Sequence, residues 1–319
     1  MKIFILRLMF ALGLWSMPAA ALAQSCTFTT TAMSFSGSPL PGGAINATAT
    51  LTSTCTALLG LFRQVLVCPN LNAGTGGTAP SGARTMLGPT ALQFQLYQDS
   101  ARQVVWGSYN WAFAARPPAI LVDIPALLGT GTTVTTIYGQ ILPNQTTAPL
   151  GSYTSVFSGA QTTFRYRYND SNGCVSSAGT SATTNFTASL NVAKDCLVSS
   201  TNVNFGSHGI LSSNVNTTGG VSVTCSPTTP YSVSLGNGQN GTAPTARRMR
   251  KGTGSEYVTY GLYRDVDRLL PWGDTIPTNT VAGTGDGLAR NIPVYGTVPP
   301  QNTPSPGLYT DTVVITVTY

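Results

Sequence analysis

Two parts of this 319-residue chain carry the same cysteine spacing and the same aromatic motif, and this repetition restricts the possible fold more than any other feature. Cys26 and Cys55 are 29 positions apart (55 − 26), and so are Cys196 and Cys225 (225 − 196). Phe35 and Phe205 each follow the opening cysteine by nine positions. Leu96-Tyr97-Gln98-Asp99, Arg102 and Trp106-Gly107 recur at identical spacing as Leu262-Tyr263-Arg264-Asp265, Arg268 and Trp272-Gly273. Gly77-Thr78-Ala79-Pro80 returns as Gly241-Thr242-Ala243-Pro244, Tyr138-Gly139 as Tyr295-Gly296, and Gly151-Ser152-Tyr153-Thr154 as Gly307-Leu308-Tyr309-Thr310. Matches in one order along the chain mean two copies of one domain. The expected division is a first domain at 24–193 and a second at 194–319.

The domain type follows from composition. Only 8% of residues are charged, while glycine (34) and proline (21) are plentiful. Short runs of Val, Ile, Thr and Tyr are separated by turn residues, and long amphipathic helical patterns are absent, so the fold is expected to be all-β. In the second domain the strand candidates are Val203–Phe205, Val221–Cys225, Tyr231–Leu235, Val258–Arg264, Arg290–Gly296 and Leu308–Tyr319. The net charge of +6 arises from 16 basic and 10 acidic residues, too sparse for a nucleic-acid-binding surface, so no nucleic-acid partner is expected. The cluster Arg247-Arg248-Met249-Arg250-Lys251 reads as a solvated edge strand whose charge opposes aggregation, or as a contact for an anionic partner.

Residues 1–23 combine a basic start, a short apolar run and the small-residue site Ala21-Leu22-Ala23, the pattern of a secretory signal peptide cleaved after Ala23. Export makes disulfides the expected state of all six cysteines. The repeat pairs Cys26 with Cys55 and Cys196 with Cys225. Cys68 and Cys174 have no counterparts in the second copy and are left to each other.

Catalytic chemistry is not expected. The single histidine, His208, lies between Gly206 and Gly209 and reads as a turn residue, so a histidine-based metal site or triad lacks its ligands. No phosphate loop, nucleophile elbow or zinc pattern occurs, and no cofactor is expected. Asp99 with Arg102, and Asp265 with Arg268, recur in both copies and read as structural ion pairs. Asp265 and Asp267 are weak as a carboxylate pair, because Ala101 stands where Asp267 would be repeated.

The motif Leu-Tyr-x-Asp-x-x-Arg-x-x-x-Trp-Gly, an opening cysteine and the closing run from Gly307 through Tyr309-Thr310-Asp311 to Val313, Ile315, Val317 and Tyr319 resemble the spore coat protein U domain family. That family includes subunits of archaic, Csu-type chaperone–usher pili. The resemblance is strongest over 196–319 and looser over the first domain. It implies two tandem immunoglobulin-like β-sandwiches, the second incomplete because it lacks its last strand. It also implies a periplasmic pilus chaperone that holds the gap, an outer-membrane usher, and an adjacent pilus subunit that fills the gap with an N-terminal strand. A two-domain chain with such a second half is similar to a pilus tip adhesin.

The residues give that implication a location. The first domain continues beyond its Gly-x-Tyr-Thr strand through Thr163–Tyr168 and a turn at Asn169–Gly173 to an alternating strand, Thr184–Val192. The second domain has no such successor. A donated strand is expected beside Thr310–Tyr319, in a groove formed by Tyr309, Val313, Ile315, Val317 and Tyr319. Only Gln24 and Ser25 precede Cys26 in the expected mature chain. This is too short for a strand-length donor, so the subunit is expected to be terminal.

The two copies also diverge in ways that bear on attachment. Where the second has Ser226–Pro230, a polar turn, the first has Leu58, Leu59, Leu61 and Phe62. After the Trp-Gly motif the first domain carries nine more residues than the second ((138 − 106) − (295 − 272)), including Trp111, Phe113, Ile120, Leu121 and Val122. These apolar residues are either buried under longer strands or exposed as surface-binding loops. The expected function is therefore a non-enzymatic tip adhesin, exported through the periplasm to the cell surface, that attaches to surfaces and supports biofilm formation. The alternatives are a structural spore-coat or surface-layer protein and, more remotely, a secreted carbohydrate-binding module.

Overall fold

A computed structural model describes residues 24–58, 62–112, 115–126 and 129–319. The expected signal peptide, Leu59, Leu61 and Phe113 lie outside the described residues. The first domain contains β1 (Ser25–Thr30), β2 (Met33–Phe35), β3 (Ile45–Thr56), β4 (Gln64–Cys68), β5 (Arg84–Met86) and β6 (Leu92–Tyr97). It continues with β7 (Ile120–Asp123), β8 (Thr130–Ile141), β9 (Gly151–Phe157), β10 (Phe164–Tyr168), β11 (Thr180–Ala182) and β12 (Phe186–Val192). The second contains β13 (Cys196–Thr201), β14 (Val215–Cys225), β15 (Pro230–Leu235), β16 (Arg247–Lys251) and β17 (Tyr257–Tyr263), then β18 (Val281–Thr284), β19 (Arg290–Val298), β20 (Tyr309–Thr310) and β21 (Ile315–Thr318). Among the described residues no sheet mixes strands of the two sets, and the chain forms two tandem immunoglobulin-like β-sandwich domains.

Strand β3 shows why these sequences form strands. Ala49, Leu51, Ser53 and Cys55 face inward, and threonines alternate with them on the other face. β-branched threonine suits the half-exposed side of a pleated strand. In the first domain the sheets are ordered β1-β3-β8-β6-β5, β11-β10-β4-β7 and β2-β12-β9, and their inward residues meet in one core. The second repeats the plan with β13-β14-β19-β17-β16-β20 and β18-β15-β21.

The closing strand β12 lies between two others. It runs antiparallel to β9, with Phe186 opposite Phe157, Ala188 opposite Ser155 and Leu190 opposite Tyr153. It runs parallel to β2, with Ala188 beside Met33 and Leu190 beside Phe35. Among the described residues of the second domain no strand occupies this place, and β20 pairs only with β16. Val203–Phe205, expected as a strand, forms none; its counterpart β2 pairs only with β12, and that partner has no equivalent here. The expected strand Leu308–Tyr319 divides into β20 and β21, which pair with β16 and β15 on different sheets. Strand β18 lies in a glycine- and threonine-rich stretch outside the expected strands and is held by antiparallel pairing to β15.

Cys26 is bonded to Cys55, Cys68 to Cys174 and Cys196 to Cys225. The first and third bridges each join directly opposed residues of neighbouring strands.

Candidate functional site: an open groove in the second domain

The repeated motif builds the same corner in both domains. The Asp99 carboxylate accepts from the backbone N–H groups of Gln103 and Val104, and Asp265 accepts from those of Leu269 and Leu270. Arg102 and Arg268 adopt left-handed backbone conformations (φ 56° and 59°), and their guanidinium groups lie over Tyr138 and Tyr295. Arg102 donates to the carbonyls of Gly139 and Ser100; Arg268 donates to those of Gly296, Val266 and Thr217. The expected Asp–Arg ion pairs are therefore not formed: the aspartate caps the turn, and the arginine reaches the neighbouring strand. The indole N–H of Trp106 donates to Pro69 O at 2.8 Å and that of Trp272 to Val233 O at 2.9 Å, tying the corner to the opposite layer.

Beside each tryptophan is a buried arginine. Arg84 donates to the carbonyls of Asn72, Leu71 and Trp106 and to the Gln95 side chain. Arg247 donates to the carbonyls of Gly236, Pro244, Leu235 and Trp272. Burial opposes both cations and pushes Arg84 from 12.5 down to about 9. Arg247, read from sequence as part of a solvated basic strand, is thus a core residue. The repeat carried a signal for this: Arg84 and Arg247 each follow a Gly-Thr-Ala-Pro segment by a few positions.

With the corner fixed, the second domain is left with a groove of about 810 Å³ where β12 sits in the first. Val203 and Phe205 form one wall, Tyr309 and Val313 the other, and Val221 and Tyr260 lie in the floor. Val203 and Phe205 rest on Gly296, where an added Cβ would come within 2.9 and 3.0 Å of them, as Met33 and Phe35 rest on Gly139. The segment therefore holds the position of β2 without its ladder. Exposure shows what is missing. Phe28, two positions after the first opening cysteine, is 6% exposed beneath Phe164 and Tyr166 of β10, whereas Val198, two after the second, is 47% exposed, because no counterpart of β10 occurs among the described residues of the second domain. Ile210 and Leu308 on the groove's flanks are 78% and 80% exposed. Of the residues expected to form the groove, Tyr309, Val313 and Ile315 line it; Val317 packs on the core, and Tyr319 is half exposed.

The apolar loops of the first domain divide between core and surface. Trp111 is buried with the Arg84 guanidinium over its ring, and Ile120 and Val122 are inward residues of β7. The surface-binding role expected of these three is corrected: Ile120 and Val122 lie on a strand paired to β4 whose alternate side chains enter the core, and Trp111, outside that strand, is covered by Arg84. Phe62 is half-buried, with its ring 5.1 Å from that of Tyr168. Leu58 and Leu121 are 40% and 42% exposed and remain available at the surface. His208 makes a local contact, donating from Nε2 to Phe205 O at 2.7 Å.

The sequence matches the Spore Coat Protein U domain family over residues 15–159 and 182–316. It is 37% identical over 154 residues to Protein U of Myxococcus xanthus, covering 43% of this chain and 85% of that protein. The fold resembles the crystal structure of the CsuC–CsuE chaperone–tip adhesion subunit pre-assembly complex of archaic chaperone–usher Csu pili from Acinetobacter baumannii. The TM-score there is 0.52 at 16% identity, over 92% of this chain and 100% of that one. A looser likeness, TM-score 0.39 at 11% identity, over 93% of this chain and 94% of that one, relates it to the CupB6 tip adhesin of Pseudomonas aeruginosa.

Proposed function

The chain belongs to the Spore Coat Protein U domain family, and on that premise we propose that it is the adhesive tip subunit of an archaic chaperone–usher pilus. The observation that carries this reading is the asymmetry between its two copies. The first closes its sandwich with its own β12, while the second presents an open apolar groove at the corresponding place. A groove with a free strand edge is unstable towards association, and a strand supplied in trans satisfies its backbone groups and covers its apolar walls. In this reading a periplasmic chaperone covers the groove first, an outer-membrane usher exchanges it, and an adjacent pilus subunit's strand fills it.

The complete first domain then has no structural partner to await and is free to make contacts. Leu58 and Leu121 are its exposed apolar candidates for surface attachment, with Leu59, Leu61 and Phe113 proposed for the same role. Burial of such side chains contributes about 25 cal/mol per Å² and needs no chemically specific receptor. Biofilm formation follows from attachment to surfaces.

The test is immunogold labelling of the first domain on cells that express the chain with its chaperone and usher. Label at fibre ends is expected. Label distributed along fibres makes the chain a shaft subunit, and an even coat of label without fibres makes it a surface-layer protein; either result overturns the tip assignment.

A further inference from the structure

We propose that the strand accepted by the second-domain groove carries a small side chain opposite Asp311, and that the Tyr260–Asp311 pair selects for it. This rests on the reading of the groove as a strand acceptor and adds to it a register and a selection rule.

The first domain supplies the register. There Ala188 of β12 lies opposite Ser155 and beside Met33, flanked by Phe186 opposite Phe157 and Leu190 opposite Tyr153. The repeat places Asp311 at the position of Ser155, Val313 at that of Phe157 and Tyr309 at that of Tyr153. Tyr260 stands where Phe94 stands, two positions before the repeated leucine. Where the first domain has Phe94 and Ser155, the second thus has a hydrogen-bonded phenol–carboxylate pair.

That pair cannot withdraw from the groove. Tyr260 donates its hydroxyl proton to Asp311 Oδ2 at 2.7 Å, and Oδ1 accepts from the N–H groups of Gln239 and Thr312, each at 2.9 Å. Gly238 backs the carboxylate, and a Cβ added there would lie 2.0 Å from Oδ2. The positive φ of +79° at Gly238 also favours glycine. An ionised carboxylate has about four acceptor positions, and the three donors leave room for one more. A large apolar side chain pressed against it would remove water without supplying a donor, a costly arrangement. A small residue, above all one with a hydroxyl, avoids that cost.

The flanking positions demand the opposite. In the first domain Phe186 stacks on Phe157 with ring centres 4.6 Å apart; the smaller Val313 leaves space for a large apolar side chain. The fitting strand therefore alternates large apolar, small and large apolar residues on its inward face. It runs antiparallel to Tyr309–Val313 and parallel to Val203–Phe205. The Thr184–Val192 sequence of this chain has that pattern and serves as the probe.

The experiment titrates the full chain with a synthetic Thr184–Val192 peptide and with peptides substituted at Ala188. Ala188→Ser should bind as well as the parent, and Ala188→Leu at least about tenfold more weakly. Asp311→Ala with Tyr260→Phe should bring the Ala and Leu peptides to equal affinity. Equal binding of both peptides to the unsubstituted chain overturns the selection rule and leaves the strand-acceptor reading intact. Register is read separately, without altering the pair, through a disulfide between Leu308→Cys in the chain and Asn191→Cys in the peptide. Crosslinking from Ser189→Cys in its place overturns the register. Failure of every peptide to bind or crosslink overturns the strand-acceptor reading itself.

Discussion

The Arg84 guanidinium lies 4.1 Å from the centre of the Trp111 ring, with both side chains buried in the first domain. The contact turns an insert that reads as a sticky loop into part of the core. Trp111→Ala should cost about 3–5 kcal/mol, the range for deleting a large buried aromatic. Arg84→Met strands the carbonyls of Leu71 and Trp106, at about 1–3 kcal/mol for each buried group left unpaired. Urea unfolding of the two variants measures this. A surface role for Trp111 would show as unchanged stability with weakened attachment.

Arg268 holds a left-handed backbone while its side chain spans to β19 and stacks on Tyr295. Two effects of substitution then separate. Arg268→Ala loses the side-chain contacts and keeps the strained φ, whereas Arg268→Gly loses the contacts but relieves the strain. The glycine variant should be more stable than the alanine variant by about 1 kcal/mol. Chemical denaturation of the pair decides it.

Asp99 caps its turn through backbone donors, with the Val104 N–H contributing most, and its carboxyl is held below the ordinary aspartate value of 3.8. The sign follows from linkage: a carboxylate more acidic in the folded state stabilises it fully above the unfolded pKa. That contribution is lost as pH falls through the folded value. The Asp99 carboxyl carbon should therefore titrate below 3.8 by NMR, and Asp99→Asn should flatten the acid limb of the stability profile.

Loop closure ranks the disulfides. The Cys68–Cys174 bridge spans 106 residues and the Cys26–Cys55 bridge 29. Chain entropy assigns them about 4.8 and about 3.6 kcal/mol. Replacing Cys68 and Cys174 with serine should lower the first domain's unfolding temperature more than the same change at Cys26 and Cys55, by calorimetry.

Much of the fold was legible because the chain contains its own comparison. Twin cysteine spacings and a twin aromatic motif place β1, β3, β6 and β8 opposite β13, β14, β17 and β19, and threonine-rich alternation reveals their two faces. Burial of charge was not legible from pattern. Arg84 and Arg247 look like surface residues until the carbonyls that surround them are known, and those come from segments 11 to 13 positions earlier in the chain, too far to share a turn with the arginine. The burial of Trp111 is illegible for the same reason, since its cover is Arg84. In the sequence Asp311 is only one residue of a closing strand; its contact with Tyr260 spans 51 positions. Val203–Phe205 shows the limit in the other direction. Its residues suit a strand, but a ladder requires a partner, and β2 has one only because β12 is present.

The central claim is that the second domain is open where the first is closed. Amide hydrogen exchange along the full chain tests it most directly, comparing 307–313 with the equivalent 151–157, before and after addition of the Thr184–Val192 peptide. The account predicts that 307–313 exchanges much faster than 151–157 in the free chain and becomes protected, together with 203–205, when the peptide is added. Equal protection of both segments without peptide, unchanged on its addition, would contradict it.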